Sequence, residues 1–297
     1  MKNNHIVIPV LFLLTIFISC KSTDNLLIID FASYEKYFET PVFPVKGVMV
    51  IAHGLNTKPS KMGDADIDGT LVKLFLDNGY HVYRIALPGH EGHIEEMQNI
   101  KAGGWLNSAF MQYHKAAEIA RNNNVPVYLT AFSLGALVYN ILINNEKDVE
   151  FKRAVLFAPA LAIKGSARAG ILAADFFLPD SAIIKSRAPI EYQAQKGVSI
   201  CAYKALFELE DILYKNEFIN CNIPSLIFID PKDELISISK LRKVISNFNL
   251  SNWNIVTVSN EGAEIRPKYH HLIIDSKTVS HVTWDVIREK IVQFLID

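Results

Sequence analysis

Six short apolar runs between residues 47 and 259 constrain the fold of this chain more than any other feature of its sequence. Each run is seven to nine residues long and rich in β-branched or aromatic side chains. Runs that are apolar throughout are typical of strands buried on both faces of a parallel sheet. They are GVMVIAH (47–53), HVYRIALPG (81–89), PVYLTAF (126–132), RAVLFAP (153–159), PSLIFID (224–230) and WNIVTVS (253–259).

Helical periodicity separates several of these runs. Apolar residues recur at three- and four-residue steps from Leu106 to Ala120, and again from Trp284 to Leu295. This spacing places side chains on one face of a helix. Strands and helices in alternation predict an α/β fold with a mostly parallel central sheet flanked by helices. In such sheets, functional residues lie at the carboxyl ends of the strands.

Residues from about 163 to 217 interrupt the alternation between two predicted neighbouring strands. The segment contains helical pieces such as AGILAADFF and CAYKALFELEDILYK. It is too long for an ordinary connection between a strand and the next element. We therefore predict an inserted helical cap over the site, within a domain that extends from residue 46 to residue 297.

The N-terminus has the pattern of an export signal. Lys2 precedes fourteen uncharged residues, Ile6 to Ser19, which is shorter than the ~20 residues of a membrane-spanning helix. The ending FISC resembles the lipobox of bacterial lipoproteins, with Cys20 as the lipid-modified first residue of the mature chain. Residues 1–19 would then be a signal peptide and residues 20–45 a tether. An ordinary secretory signal or an uncleaved anchor would have a similar pattern.

This resemblance implies a protein held in the bacterial cell envelope by acyl chains on Cys20, at the outer membrane or facing the periplasm. Several acyl chains on one residue give stable membrane binding. Lys21, rather than aspartate, follows the cysteine, which in some bacteria permits transport to the outer membrane.

Composition excludes several other functions. A formal net charge of −1 gives no indication of a nucleic-acid partner, and half of the residues are hydrophobic, as in a globular protein with a large core. Cys201 and Cys221 could pair in an exported compartment, although the sequence does not show whether they meet. No Cys/His cluster has metal-ligand spacing, so no metal site is predicted. The oligomeric state stays open.

Ser133 lies in AFSLGALVYN (131–140), between a strand-like and a helix-like run. AFSLG differs by one residue from G-x-S-x-G, the sharp turn that exposes a nucleophilic serine at the end of a strand. Gly135 fits the pattern, whereas Ala131 stands where the first glycine is expected. Serine is also a favoured helix N-cap, so both interpretations stay open for this stretch alone.

The loop HGLN (53–56) follows the first long strand. Acyl transfer produces an oxyanion, which backbone N–H groups can stabilise. One donor normally follows the nucleophile, here Leu134, and the other would come from this loop, here Leu55. His53 itself is expected to have a structural role.

Candidate acids and bases occur later in the chain. The segment IDPKDELIS (229–237) supplies Asp230, Asp233 and Glu234, and KYHHLIID (268–275) supplies His270 and His271. An acid is needed to orient a histidine base and to stabilise its charged form. Although each motif is weak alone, their order, serine then acid then histidine, matches one known arrangement of such triads.

With these motifs, the chain from about Lys46 onward resembles the α/β-hydrolase family, and most closely its monoacylglycerol lipase and carboxylesterase branch. GYHVYRIALPGHEGH (79–93) is similar to the LPGHG segment of that branch. The family's acid commonly lies three residues after a strand-ending glycine, whose position Asp230 occupies here, so the resemblance indicates Asp233. In related esterases an acidic residue lies five positions beyond the catalytic histidine. Asp275 therefore favours His270, with His271 as the alternative and His281 as a more distant candidate.

The resemblance implies a serine hydrolase that cleaves carboxylic esters, such as short acyl esters or monoacylglycerol-like lipids, through an acyl-enzyme. The residues would be Ser133, Asp233 and His270, with Leu55 and Leu134 forming the oxyanion hole and no metal or organic cofactor. The sequence departs from the family pattern at Ala131, at Asp230 and in the segment NEGAEIRPKY before the histidines. The alternatives are a non-catalytic, lipid-anchored binding protein on the same scaffold, or a peptidase or amidase with the same triad.

Overall fold

Seven strands form one sheet, and their order determines which loops meet at its carboxyl edge. A computed structural model describes residues 35–90 and 92–296. The sheet has the order β1-β3-β2-β4-β5-β8-β9, and all neighbours are parallel except β1, which pairs antiparallel with β3. The strands are β1 (Lys36–Phe38), β2 (Gly47–Ala52), β3 (Tyr80–Arg84), β4 (Val127–Phe132), β5 (Ala154–Phe157), β6 (Ile183–Lys185), β7 (Gly197–Ser199), β8 (Ser225–Ile229) and β9 (Trp253–Thr257).

Helices cover both faces of the sheet, so the five strands between the edge strands β1 and β9 are buried on two sides. In β2, Val48 and Val50 pack into one hydrophobic core, whereas Met49 and Ile51 pack into a second core on the opposite face of the sheet. This two-sided burial explains why the strands are apolar throughout. The predicted α/β fold is confirmed. The helices are α1 (Leu71–Asp77), α2 (Ile94–Asn99), α3 (Ala102–Asn122), α4 (Leu134–Asn145), α5 (Gly165–Phe177), α6 (Ile200–Lys215), α7 (Ile238–Asn247) and α8 (His281–Ile296).

The domain begins earlier than the sequence predicts. Strand β1 lies within residues 20–45, which the sequence assigns to a tether. Phe38 is buried in the second core, and Thr40 Oγ1 donates a hydrogen bond of 2.6 Å to the carbonyl of Leu76. A three-residue edge strand has too little hydrophobic pattern to be recognised in the sequence.

Residues between β5 and β8 form a helix, a two-stranded hairpin of β6 and β7, and a second helix. Helix α6 packs against α4, and α5 lies on α6. None of the residues of α5 is buried. A bridge between Ile163 and Ile236 connects the start of this segment to the loop after β8.

Cys201 and Cys221 are free thiols. The Cys221 side chain is buried and donates to the carbonyl of Asn140. Within the described ranges, no helix is both long enough and apolar enough to cross a membrane. Cys20 and the predicted signal peptide lie outside the described residues.

Candidate active site

Ser133 lies in a strained turn between β4 and α4. Its backbone has φ +48° and ψ −111°, a conformation that L-residues rarely adopt. The turn is fixed by two backbone hydrogen bonds of 3.0 Å, from Ser133 N to the Phe157 carbonyl and from Gly135 N to the His53 carbonyl. A Cβ at Gly135 would lie 2.7 Å from Ala52 Cβ, so only glycine fits this close approach of α4 to β2.

The Ser133 hydroxyl does not cap helix α4. Its Oγ lies 2.9 Å from Nε2 of His271. The Ala131 departure is accommodated because that residue is a buried member of β4, paired with Ala52 and Leu156 in the adjacent strands. The backbone strain is therefore at Ser133, and not at the position where the motif has its first glycine.

His271 connects Ser133 to a buried carboxylate. Its Nδ1 lies 2.8 Å from Oδ2 of Asp233, whose side chain is completely buried. The other Asp233 oxygen accepts the amides of Leu235 and Ile236 at 2.7 and 2.8 Å. With Asp233 ionised, Nδ1 of His271 donates to it, and Nε2 of the neutral ring accepts from the serine hydroxyl.

The preference for His270 is corrected by this geometry. His270 Nδ1 lies 2.9 Å from Asp230 Oδ2, so the neighbouring histidine has its own acid. Asp275, which supported His270 in the sequence, accepts instead from the Tyr192 hydroxyl at 2.7 Å and from the amide of Thr278 at 2.9 Å. Its five-residue spacing from His270 therefore does not identify the base.

Glu234 holds the backbone of both histidines, a role that the sequence did not indicate. Its two carboxylate oxygens accept the amides of His270 and His271 at 3.1 and 3.0 Å. All three candidate acids of the loop after β8 thus bind the same histidine segment. In the sequence, these contacts correspond to the motifs D-x-x-D-E and H-H. Which acid pairs with which histidine depends on how the two loops meet in space.

The backbone amides of Leu55 and Leu134 are the two oxyanion donors that the sequence predicts. Neither is among the backbone donors that are hydrogen-bonded within the described residues. Leu55 lines the same cavity as Ser133, and a Cβ added to Gly54 would lie 3.1 Å from Ser133 Cβ. The loop after β2 therefore lies directly against the serine.

His53 has the structural role expected from the sequence. Its Nε2 accepts the amide of Leu87 at 2.9 Å, and its Nδ1 donates to the carbonyl of Gly54 at 3.0 Å. Burial lowers the pKa of His53 well below its usual value, and burial lowers the pKa of the adjacent His90 to about 4. Both rings are therefore neutral near pH 7.

A cavity of about 520 Å³ extends from Ser133 and His271 under the cap. Most of the lining side chains are apolar, and α5, α6 and the β6–β7 hairpin supply many of them. The apolar lining includes Ile163, Ala167, Ile171, Ala174, Ile184, Val198, Leu206, Phe207, Leu235 and Ile236. The arrangement combines a serine hydroxyl, a histidine, a carboxylate and a partly covered apolar space.

Solved structures share this architecture. One, from work on the metagenome-derived lipolytic enzymes LipS and LipT, is 17% identical, has a TM-score of 0.65 and covers 88% of this chain and 96% of that chain. A soluble variant of monoglyceride lipase from Saccharomyces cerevisiae is 13% identical, with a TM-score of 0.67 and coverage of 88% and 90%. A monoacylglycerol lipase from Paleococcus ferrophilus is 17% identical, with a TM-score of 0.60 and coverage of 89% and 98%. At these identities the likeness shows the fold.

No curated protein matches the chain. A family model, however, does match the sequence. Residues 44–195, just over half of the chain, match the sequence model described as "Serine aminopeptidase, S33". The chain therefore belongs to the serine aminopeptidase S33 family and is a hydrolase with the α/β-hydrolase fold.

Proposed function

We propose that the protein is a serine hydrolase that cleaves carboxylic esters, with short acyl esters or monoacylglycerol-like lipids as substrates. Ser133, His271 and Asp233 form the catalytic triad of this proposal. The observation that carries it is the pair of hydrogen bonds, 2.9 and 2.8 Å, that join the three side chains at the wall of the cavity.

In the first half of the reaction, Ser133 Oγ attacks the ester carbonyl carbon while its proton moves to His271 Nε2. The carbonyl oxygen becomes an oxyanion, which the amides of Leu55 and Leu134 stabilise. Collapse of the tetrahedral intermediate breaks the bond to the alcohol, which takes the proton from His271. Each oxyanion donor of this kind contributes about 10²–10³ in rate.

In the second half, water attacks the acyl-enzyme and gives a proton to His271 Nε2. The second tetrahedral intermediate collapses, and the proton returns to Ser133 Oγ as the carboxylic acid leaves. Asp233 keeps its charge throughout and stabilises the imidazolium of His271. Its bonds to the amides of Leu235 and Ile236 hold it in place.

The apolar cavity supports an acyl chain as the bound group. The cap also exposes Phe176 and Phe177, which are 83% and 80% accessible. Exposed apolar side chains beside an apolar cavity suit a substrate that is delivered from a lipid surface. The names of the similar solved structures, two monoglyceride or monoacylglycerol lipases among them, agree with a lipid ester.

The family description favours a second candidate, in which the same residues release an N-terminal amino acid from a peptide. An aminopeptidase must bind a positively charged N-terminus, which requires an available carboxylate in its cavity. Glu234 faces the cavity, but both of its oxygens already accept the amides of His270 and His271. The other Lys, Arg, Asp or Glu side chains that line the cavity, within the part of the chain that the structure describes, are Lys185 and Arg187, which are both cations. We therefore favour the ester.

The test compares hydrolysis of p-nitrophenyl butyrate, a 1-monoacylglycerol and alanine p-nitroanilide by the full-length protein in detergent. Ser133→Ala is the variant, and Ser166→Ala, an exposed serine of the same cavity, is the control. We expect ester cleavage that Ser133→Ala reduces by about a thousandfold or more. Equal rates for Ser133→Ala and wild type would contradict the mechanism, and faster anilide cleavage would favour the peptidase.

A fluorophosphonate probe addresses the non-catalytic alternative, because it reacts only with an activated serine. We expect labelling of the wild-type protein and of Ser166→Ala, and none of Ser133→Ala. An unlabelled wild-type protein would support a binding function.

We further propose that Cys20 is lipidated and holds the protein in the bacterial cell envelope. The support is the uncharged run from Ile6 to Ser19 and the FISC ending. Growth of a bacterium that expresses the gene with labelled palmitate should label the wild type and Cys201→Ser. Loss of the label in Cys20→Ser would support the anchor, whereas equal labelling of both variants would contradict it.

A further inference from the structure

The cavity that contains Ser133 receives positive charge from one segment of the cap. Lys185 and Arg187, at and just after the end of β6, line the cavity and are exposed at its mouth. Neither side chain forms a hydrogen bond or ion pair with any other part of the chain that the structure describes. Two cations thus face the substrate space without a carboxylate partner.

Two other cations of the cap, in contrast, are paired with carboxylates. Arg168 lies 3.1 Å from Glu210 and 2.6 Å from Asp211, and Lys204 lies 3.1 Å from Asp180. The carboxylate that lines the cavity, Glu234, already accepts two backbone amides. At the cavity mouth, no carboxylate of the described residues lies within ion-pair distance of Lys185 or Arg187.

Two tyrosines add hydrogen-bond donors to the same place. Tyr203 and Tyr269 line the cavity, and neither hydroxyl has a hydrogen-bond partner among the described residues. The centre of the Tyr269 ring lies 5.9 Å from the centre of the His271 ring, so this tyrosine lies beside the histidine that contacts Ser133.

The protonation of the tyrosines is consistent with a donor role. Burial raises the pKa of Tyr203 and of Tyr269 above the usual value, although the positive charge of Arg187 opposes the rise in both. Each hydroxyl therefore keeps its proton at neutral pH. Arg187 and both tyrosines line the same cavity.

We propose that Arg187 and the hydroxyls of Tyr203 and Tyr269 bind an anionic oxygen group, a carboxylate or phosphate, on the substrate. The arginine guanidinium presents paired N–H donors, and the two tyrosines add O–H donors, so together they can bind the several oxygens of such a group. Lys185 adds favourable positive charge. This inference rests on the proposed ester hydrolysis and specifies its substrate class as anionic esters. The anionic group lies either at the end of the acyl chain or on the alcohol.

Two matched substrate pairs separate these sources. In the first, p-nitrophenyl hemiglutarate is compared with p-nitrophenyl 5-methylhexanoate, whose terminal isopropyl group has the shape of a carboxylate. In the second, a 1-acylglycerol 3-phosphate is compared with the 1-monoacylglycerol of the same chain. The readout is the ratio of kcat/KM for the anionic ester to that for the neutral ester.

The variants are Arg187→Met, Arg187→Lys and, as the control, Lys196→Met. Lys196 is an exposed cation of the same cap that does not line the cavity. We expect Arg187→Met to lower the ratio about tenfold or more for one pair, since hydrogen bonds between charged groups are the strong ones. Arg187→Lys should restore part of the ratio, and Lys196→Met should keep that of the wild type.

The affected pair identifies the position of the anionic group. The proposal would be overturned if Arg187→Met left the ratio of anionic to neutral kcat/KM unchanged for both pairs. It would also be overturned if Lys196→Met lowered that ratio as much as Arg187→Met does. Cleavage of none of the four esters by the wild type would instead refute the proposed function. In that case, binding of the four esters to Ser133→Ala and to Ser133→Ala/Arg187→Met is measured by calorimetric titration. Equal dissociation constants of the two variants for the anionic esters would overturn the proposed anion subsite.

Discussion

At the scale of single residues, the two adjacent histidines, His270 and His271, are the part of the site that the sequence does not distinguish. The motif around Ser133 and the family resemblance for Asp233 predict these two residues, and the structure brings them together through His271. The choice between His270 and His271 depends on which ring meets which acid. Asp230 and Asp233 lie 2.9 and 2.8 Å from one histidine each, and no spacing in the sequence specifies that pairing.

The two histidines permit a matched test. Asparagine keeps a donor near the position of Nδ1 and removes Nε2, so each variant can retain its bond to aspartate. We expect His271→Asn to lower kcat by about a thousandfold or more, because Nε2 accepts the serine proton. His270→Asn should lower kcat less than about tenfold, since its Nε2 is not bonded to Ser133.

The measurement is the rate of p-nitrophenyl butyrate hydrolysis, with circular dichroism as a check on folding. A larger loss in His270→Asn than in His271→Asn would contradict the assignment of the base.

At the scale of elements, the long buried strands were predictable and the short ones were not. Strands β2, β4 and β8 are apolar on both faces, so hydrophobicity alone identifies them. Strands β1, β6 and β7 have three residues each and gain their stability from tertiary pairing. A pattern of three residues cannot distinguish a strand from a loop.

The approach of α4 to β2 makes a prediction about glycine. Gly135→Ala would place a Cβ 2.7 Å from Ala52 Cβ and from the His53 carbonyl, so we expect a loss of roughly 1–3 kcal/mol in the free energy of unfolding. Gly103→Ala in α3 meets no atom within 4 Å, and its stability should be unchanged or raised by up to about 1 kcal/mol.

Thermal unfolding measures the stability change of each variant. In a chain of this size, each kcal/mol corresponds to a shift of roughly 2–4 °C in Tm. Equal Tm values for the two variants would show that the contact between α4 and β2 can relax.

At the scale of the whole molecule, the site joins four separate parts of the chain. Loops after β2, β4 and β8 supply Leu55, Ser133 and Asp233, and the segment after β9 supplies His271. Their meeting at one edge follows from the parallel sheet, which the sequence predicted. The exact contacts between loops depend on tertiary packing, which local patterns do not encode.

Two buried histidines make the stability of the fold depend on pH. The pKa of His90 is about 4 in the folded protein against a usual value of 6.5, and the pKa of His53 is also lowered. Below pH 6.5 the unfolded chain therefore binds protons before the folded protein does. The contribution of neutral His90 to the free energy of unfolding is fully present above pH 6.5. It is lost as the pH falls from about 6.5 to 4, and the loss is about 3 kcal/mol.

Urea unfolding from pH 7 to pH 4.5 tests this dependence, with His90→Gln as the comparison. We expect the stability advantage of the wild type over His90→Gln to shrink as the pH falls. A difference that stays constant over this range would refute the contribution of His90.

The insertion between β5 and β8 has an evolutionary consequence. Strands β5 and β8 are parallel neighbours, so the chain must cross from the carboxyl end of β5 to the opposite edge of the sheet, and the buried face of α6 packs against α4 in this crossover. Helix α5, by contrast, has no buried residue, so the segment from α5 to just after β6 can change in sequence without moving the strands that precede Ser133 and Asp233. Chimeras that exchange residues 165–187 between relatives should retain the reaction and acquire the donor's choice of ester. Diversification of this protein and its relatives can thus proceed by replacement of one modular segment.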